Sequence, residues 1–171
     1  FCEEVKITVH ENNKIKSLTV NGVEYKIAVP QSANAYEIKA ADVSVYDENQ
    51  TLKTSLGTQT KKEGISAIAV ETKNRYRLSL NVSALDQTLK SGSLIVYVYS
   101  DCSATVSVSV QGNNKNRLLN TFAVTSGWNV LRVDRLQDYS LSALKNVEFL
   151  NLYVLSEQAV NFAVSRVTVL K

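Results

Sequence analysis

The sequence predicts an all-β protein built as an antiparallel β-sandwich. Apolar and polar residues alternate with a period of two in many short segments, and these segments are rich in Val, Thr, Tyr, Ile and Leu. Turn residues separate the segments, as expected for antiparallel strands. Helical patterns are confined to residues 83–90 and 140–145, which are too short to cover a sheet. Because strands and helices do not alternate regularly, a parallel architecture is disfavoured.

About eleven segments have the alternation expected of strands. The sharpest signal is the Asn21-Gly22 pair, which lies between two such segments and is typical of a two-residue hairpin turn. Gly112-Asn113-Asn114 and Ser126-Gly127 mark later turns. In chain order, the predicted strands are residues 5–9, 15–20, 24–29, 66–71, 75–82, 93–99, 105–110, 118–124, 129–133, 148–155 and 161–170.

The size of the chain predicts one domain. Its 171 residues and 44% hydrophobic content are sufficient for a single sandwich with its own core. Pro30 indicates a bend after an early strand. We therefore expect residues 1–41 to form a leading hairpin unit packed on a main sandwich of residues 42–171. The chain begins Phe1-Cys2 and contains no Met, so we also expect it to be a piece of a longer protein with other domains.

Charge and cysteine content narrow the function. The formal net charge is +3, and Lys and Arg are scattered among the acids, which argues against nucleic acid because its binding requires a concentrated basic face. No apolar run is long enough for a membrane span. Two cysteines are too few for a disulfide framework or a cysteine-built metal site, and a bridge between Cys2 and Cys102 is left open.

The sequence contains no recognisable catalytic set, so we expect a protein that is not an enzyme. His10 is the only histidine, and no serine lies in a Gly-x-Ser-x-Gly elbow. Carboxylate pairs such as Asp134 with Asp138, or Glu63 with Glu71, are more typical of loop charges than of glycosidase acids. No cofactor-binding motif or metal-ligand spacing is present.

Three segments carry a resemblance to a known family: residues 93–101, 126–134 with Gly127-Trp128-Asn129, and 160–169. Their order resembles that of jelly-roll, galactose-binding-like sandwiches, which serve as carbohydrate-binding modules in secreted polysaccharide-degrading enzymes. The resemblance implies a noncatalytic, extracellular or cell-surface module, with Trp128 buried in its core.

The resemblance also raises the question of calcium. Many relatives hold a structural calcium ion with an Asp in the closing strand, whereas Ser165 stands near that position here. Asp47, Glu48 and Asn49 lie near the usual first-strand ligands. They are either calcium ligands or a solvated acidic turn, and no other cofactor is expected.

Candidate binding residues come from the polar faces of the predicted strands. Alternation sets Tyr97 and Tyr99 opposite an apolar face, and it does the same for Arg75 and Arg77. Gln111 and Tyr153 occupy similar positions in their strands. On one sheet, these six residues would form a surface where tyrosine stacks on sugar rings and arginine or amide groups bind hydroxyls or uronate carboxylates. The alternatives are an ordinary hydrated face, or a loop site formed by residues 113–117 and Tyr139.

Two functions remain open. The first is a noncatalytic module that binds a polysaccharide or another glycan. The second is a structural or adhesive sandwich that docks to proteins. A contiguous exposed apolar patch would favour the second, and an aromatic and polar groove would favour the first.

Overall fold

A computed structural model of the chain describes residues 17–20, 23–26, 33–49, 51–53, 58–72, 75–85 and 89–170. It divides the chain into two compact units, residues 1–31 and 32–171. In the first unit, β1 (Ser17–Val20) and β2 (Val23–Lys26) pair antiparallel, with Val20 opposite Val23. The predicted hairpin around Asn21-Gly22 is therefore confirmed. The predicted strand 5–9 and His10 lie outside the described residues.

The second unit is built from strands. Its described residues contain no α-helix, only short 3-10 helices at Ala40–Asp42, Ser83–Leu85, Leu136–Tyr139 and Leu141–Leu144. No described helix has the length and apolar character needed to cross a membrane. The strands are β3 (Ala33–Glu37), β4 (Val43–Asp47), β5 (Leu52–Lys53), β6 (Thr58–Lys62), β7 (Ile65–Thr72), β8 (Arg75–Asn81), β9 (Ser93–Ser100), β10 (Ala104–Gly112), β11 (Lys115–Val124), β12 (Gly127–Val133), β13 (Phe149–Leu155) and β14 (Val160–Leu170).

These strands form two antiparallel sheets. Sheet I has the order β11-β10-β13-β8-β4-β5. Sheet II has the order β12-β9-β14-β7-β6, and β3 also pairs with β14. Neighbours in sequence are often not neighbours in a sheet: β8 and β13 pair although four intervening strands separate them. The predicted all-β fold with antiparallel sheets is confirmed.

The hydrophobic core takes side chains from both sheets. Leu78 and Leu80 of β8, in sheet I, are fully buried, as are Val96 and Val98 of β9, in sheet II. Alternation explains this pattern, because every second residue of each strand points into the core. The intervening side chains define the two outer faces of the sandwich.

Four strands, β3 to β6, were not predicted. β5 has only two residues, and β6 has the sequence Thr-Gln-Thr-Lys-Lys at the edge of sheet II. An edge strand is often polar, so it lacks the apolar alternation on which the prediction depends. β3 falls within the predicted leading unit of residues 1–41 but pairs with β14 in the second unit. The packing of a leading unit on the sandwich stays a prediction.

A bulge interrupts β14. Val164 lies opposite Val98 and Arg166 lies opposite Tyr97, so Ser165 is an extra residue in the register. The Ser165 hydroxyl donates a hydrogen bond to the carbonyl oxygen of Ser66, 2.8 Å away. A bulge of one residue changes which positions of a strand face the core.

Candidate functional site

The outer face of sheet I is organised in three rows that run across the strands. The middle row contains small polar residues, and larger side chains stand on both sides of it. The tyrosine row is Tyr46, Arg77, Tyr153, Ser107 and Thr121; the middle row is Ser44, Ser79, Asn151, Ser109 and Leu118; the amide row is Asn81, Phe149, Gln111 and Asn116. We call this surface the sheet I face.

The middle row forms a buried polar floor. Asn151 is 0% exposed and Ser109 is 1% exposed, although both occupy outward-facing positions. The Ser79 hydroxyl donates a hydrogen bond to Asn151 Oδ1, and Asn151 Nδ2 donates one to Gln111 Oε1 at 3.2 Å. Ser109 Oγ is buried and has no hydrogen-bond partner among the described residues. Buried polar atoms are normally paired, so this hydroxyl is an unusual feature of the floor.

Arg77 lies between two tyrosines of the tyrosine row. Its guanidinium carbon is 4.0 Å from the ring centroid of Tyr46 and 5.9 Å from that of Tyr153. Both contacts are within cation–π range. Arg77 Nε is buried and has no hydrogen-bond partner in the described part of the chain. Arg77 Nε, which belongs to the guanidinium cation itself, is therefore the second unsatisfied polar atom of this face.

A hydrogen bond connects the two outer rows. Asn116 Nδ2, in the amide row, donates to the Tyr153 hydroxyl, in the tyrosine row, at 3.3 Å. Ser109 and Asn151 occupy the row between them. The contact between Asn116 and Tyr153 therefore helps to explain why outward-facing residues of the middle row are shielded from solvent.

A groove lies at one end of this face. Its volume is about 230 Å³, and its lining includes Tyr153, Ser107, Thr105, Arg75 and Glu48. The lining combines an aromatic ring, hydroxyls and charged groups. Such a mixture suits a polar ligand that also has apolar ring faces.

The six predicted binding residues are divided between the two sheets. Arg75, Arg77, Gln111 and Tyr153 lie together on the sheet I face. Tyr97 and Tyr99 are on β9, where they point outward from sheet II. The proposed single surface is thus two groups on different sheets, because alternation predicts which way a side chain points but not which sheet contains its strand.

The outer face of sheet II carries its own aromatic group. The rings of Tyr99 and Trp128 are 5.7 Å apart and are inclined at 70°. Lys62 Nζ is 5.3 Å from the Tyr99 centroid, and the Arg166 guanidinium carbon is 4.3 Å from the Tyr97 centroid. We call this surface the sheet II face.

The core position that the resemblance implies for Trp128 is not observed, although the residue is mostly buried. Its indole lies opposite Tyr99 on the sheet II face, and its Nε1 is buried. Leu131 and Val133 of the same strand point into the core, so the even-numbered residues of β12 point outward. The alternation of β12 alone predicts this outward position for Trp128, whereas the resemblance implies a position in the core.

The expected calcium ligands do not assemble into a site. Asp47 Oδ1 accepts hydrogen bonds from the backbone N–H groups of Asn49 and Thr51, at 3.0 and 2.9 Å, and so closes a turn. Ser165 is on sheet II, whereas Asp47 is on sheet I. Within the described ranges, no group of three or more His, Cys, Asp and Glu residues could hold a metal ion.

Other candidate residues have structural partners. Asp134 accepts a hydrogen bond from Arg132 Nε at 2.8 Å, and Asp138 forms an ion pair with Arg135, whose Nε is 3.1 Å away. In the loop alternative, Asn113 Nδ2 donates to the carbonyl oxygen of Leu144 at 2.9 Å, and Tyr139 packs against the core. Cys102 carries a free thiol.

Comparisons with known proteins identify the fold. No protein-family model and no curated protein matches the sequence. Among solved structures, an arginine variant and a lysine variant of a family 29 carbohydrate-binding module, both made to probe ligand recognition, have TM-scores of 0.52 and 0.51. Each is 10% identical, and the match covers 81% of this chain and 91% of that chain. A glutamate variant of a family 29 module has a TM-score of 0.50 and 13% identity, with 81% and 92% covered. The chain has the β-sandwich fold of carbohydrate-binding modules.

Within this carbohydrate-binding-module fold, sequence reasoning missed Tyr46 as a member of the candidate site. Its strand, β4, was not among the predicted ones, although Val43 and Val45 alternate with Ser44 and Tyr46. Asn116 was assigned only to a loop, whereas it lies in the longer observed strand β11. Extension of the predicted strand 118–124 by two residues would have found Asn116, and the alternation within residues 43–46 would have found Tyr46.

Proposed function

We propose that this chain is a noncatalytic carbohydrate-binding module that binds a glycan on the sheet I face. The observation that carries the proposal is the stack of Tyr46, Arg77 and Tyr153 in the tyrosine row, with the groove beside it. Sugars present C–H faces that can stack on tyrosine and hydroxyls that can bind the polar groups of the groove. The solved modules with this fold, whose study concerns ligand recognition, support the same reading.

A ligand on this face would lie across the strands. The rows themselves run across β4, β8, β13 and β10, and the large side chains of the outer rows flank the polar floor. A linear glycan chain placed along the tyrosine row would meet the rings of Tyr46 and Tyr153 and the Arg77 guanidinium between them. Each successive sugar would then contact a different strand.

The rival function, a sandwich that docks to proteins, has less support. Among the described residues, the large exposed apolar ones are Leu52, Leu118, Val130 and Leu155. Val130 is on sheet II, and Leu118 and Leu155 are on different strands and in different rows of sheet I. Single exposed apolar residues are normal on protein surfaces and do not indicate a docking patch.

The setting of the module is part of the proposal. A noncatalytic binding module increases the local concentration of whatever is attached to it at a polysaccharide, so it is useful when tethered to other domains. We infer a larger extracellular or cell-surface protein, with the glycan as the partner of this part of it.

Two tyrosine substitutions on different sheets test the assignment. The purified chain is screened on a glycan array, and hits are measured by calorimetry with Tyr153→Ala and Tyr97→Ala variants. Loss of aromatic stacking commonly costs about 1 kcal/mol or more, so Tyr153→Ala should weaken binding by roughly tenfold. Tyr97→Ala, on the sheet II face, should retain the wild-type affinity.

The possible outcomes distinguish an error in the assigned binding face from an error in the proposed function. Binding that is lost in a folded Tyr97→Ala variant and kept in Tyr153→Ala would move the site to the sheet II face. No measurable affinity for any glycan would overturn the function and favour the structural rival. Circular dichroism spectra and thermal midpoints establish that both variants are folded.

A further inference from the structure

The charged side chains that point outward from the strands of the sheet I face are positive. Arg77 is the cation of the three rows, Arg75 lies one row beyond the tyrosine row, and every other outward-facing position in the three rows is Ser, Thr, Tyr, Phe, Asn, Gln or Leu. No Asp or Glu occurs in these rows. A neutral sugar does not require this imbalance, whereas an anionic one does, because opposite charges favour binding in a partly desolvated site.

The position of Arg77 suits a planar acceptor. The Tyr46 ring, 4.0 Å from the guanidinium carbon, covers one face of the guanidinium group. Stacking on a ring restrains the group and leaves its donors directed in its own plane, where a carboxylate can accept two parallel hydrogen bonds. The Arg77 side chain is only partly buried, so a ligand oxygen could approach the part of the guanidinium beyond the buried Nε.

Polar groups around Arg77 would take the remaining oxygens of such a ligand. The Tyr153 hydroxyl accepts from Asn116 while its own proton is available to donate, and Ser107, opposite Tyr153 on β10, is a partly exposed hydroxyl. Hydroxyl donors and acceptors of this kind suit the ring hydroxyls of a sugar. A cation and several hydroxyl-binding groups on one face therefore match an acidic sugar better than a simple anion.

The acidic residues near this face limit where an anion can bind. Asp47 and Glu48 line the groove at the Arg75 end. Their charge would repel a carboxylate there and compensate Arg75. Arg77 lies one row further in, between the two tyrosines, so it is the position that we expect to bind the anion.

We propose that the ligand is a uronate-bearing polysaccharide and that Arg77 binds the carboxylate of one of its sugars. The inference rests on the proposed function, since it names the class of glycan bound at the same face. It makes Arg77 the residue that distinguishes acidic chains from neutral chains of the same shape.

The test compares an acidic oligosaccharide with its neutral methyl ester and with neutral oligosaccharides of other sugars. Oligogalacturonate and its fully methyl-esterified form are titrated into the chain by calorimetry, together with neutral β-1,4-linked gluco-, manno- and xylo-oligosaccharides. A charged hydrogen bond contributes enough that the acid form should bind about tenfold to a hundredfold more tightly than the ester. Added salt should weaken binding of the acid form only.

Three arginine variants test whether Arg77 causes the preference for the acid form over the ester. Arg77→Gln should bind acid and ester forms equally, and Arg77→Lys should keep part of the preference because it keeps the charge but loses the planar fork. Arg135→Gln is the matched control: Arg135 is 78% exposed, pairs with Asp138 outside this face, and should leave the preference unchanged.

Each outcome decides a different question. Equal binding of acid and ester by the wild-type chain, or tighter binding of a neutral oligosaccharide, overturns the uronate proposal and leaves glycan binding intact. A preference that survives in folded Arg77→Gln overturns the role of Arg77. No binding of any oligosaccharide contradicts the proposed function itself.

Discussion

Asn151 shows how one polar residue organises the candidate site. It points outward from sheet I yet is 0% exposed, and its amide group joins Ser79 on β8 to Gln111 on β10. Its role is therefore structural, because it holds together the polar floor of the candidate site. A buried amide with partners on two neighbouring strands also fixes the register of those strands.

Replacement of Asn151 by alanine should destabilise the fold. The change leaves the Ser79 hydroxyl and the Gln111 amide without their present partner, and a buried group that loses its partner costs about 1–3 kcal/mol. Urea unfolding followed by circular dichroism measures the loss. Gln158→Ala, at an exposed amide in a loop, is the control and should change stability by less than about 0.5 kcal/mol. Equal effects of the two substitutions would contradict the role given to Asn151.

Asp134 should titrate at an unusually low pH. A hydrogen bond from Ser93, followed by one from Arg132, holds the pKa of this carboxyl below its ordinary value of 3.8. A depressed pKa in the folded state means that the ionised form contributes stability above the unfolded-state pKa, and that this contribution is lost as the pH falls through the folded-state pKa. Carbon-13 NMR titration should find the depressed pKa in the wild type and a higher one in Ser93→Ala. An unchanged pKa in that variant would contradict the cause assigned here.

At the residue scale, the sequence correctly predicted which way the candidate side chains point, but it did not identify every residue of the candidate site. Alternation predicted that Arg75, Arg77, Gln111 and Tyr153 point away from the core, and they share one face. Their unsatisfied neighbour, Ser109 Oγ, was not predictable, because a hydroxyl lacks a partner only through the arrangement of several strands.

At the scale of elements, the β10–β11 hairpin depends on a close approach. A Cβ atom added to Gly112 would lie 1.7 Å from the carbonyl oxygen of Asn146 and 3.2 Å from that of Leu144. Glycine is thus required at the end of β10 by packing against another loop. The sequence showed a turn at Gly112-Asn113-Asn114, but the approach of residues 144–146 comes from a distant part of the chain.

Gly112→Ala should be strongly destabilising. Backbone atoms must move to relieve the overlap, so we expect a loss of about 3 kcal/mol or more. Gly64→Ala is a useful comparison: φ is +84° and no atom lies within 4 Å of the added Cβ, so only the cost of a left-handed backbone, about 1–2 kcal/mol, applies. Thermal and urea unfolding of both variants measure the difference, and an equal loss in the two would rule out the steric explanation.

At the scale of the whole molecule, the two sheets share one core. Leu78→Ala removes a fully buried side chain of sheet I and should cost about 3 kcal/mol. Leu118→Ala, in the same sheet but 59% exposed, should cost less than about 0.5 kcal/mol. Urea unfolding monitored by the fluorescence of Trp128, which is on sheet II, should report the Leu78 effect in full. Loss of sheet I structure without a Trp128 signal would show that the sheets unfold separately.

The whole-molecule arrangement was the hardest to predict. Alternation is a local pattern, so it indicated strands and their faces, whereas the assignment of β9 and β13 to different sheets follows from pairings between distant segments. Alternation alone therefore predicted that Tyr97 and Tyr153 share a surface. The fold class was predictable because most of the strands that build it have clear alternation.

The bulge at Ser165 keeps both halves of the last strand in the core. Phe162 and Val164 face the core before it, and Val167 and Val169 face the core after it. Unbroken alternation through Ser165 would turn Arg166 inward and expose the two valines, so the extra residue corrects the alternation. Deletion of Ser165 would remove the bulge and leave all four apolar residues on the core side, whereas an insertion between Val167 and Val169 would turn the last valine outward. In any set of descendants of this chain, a one-residue change in the length of this strand should therefore occur between Val164 and Val167.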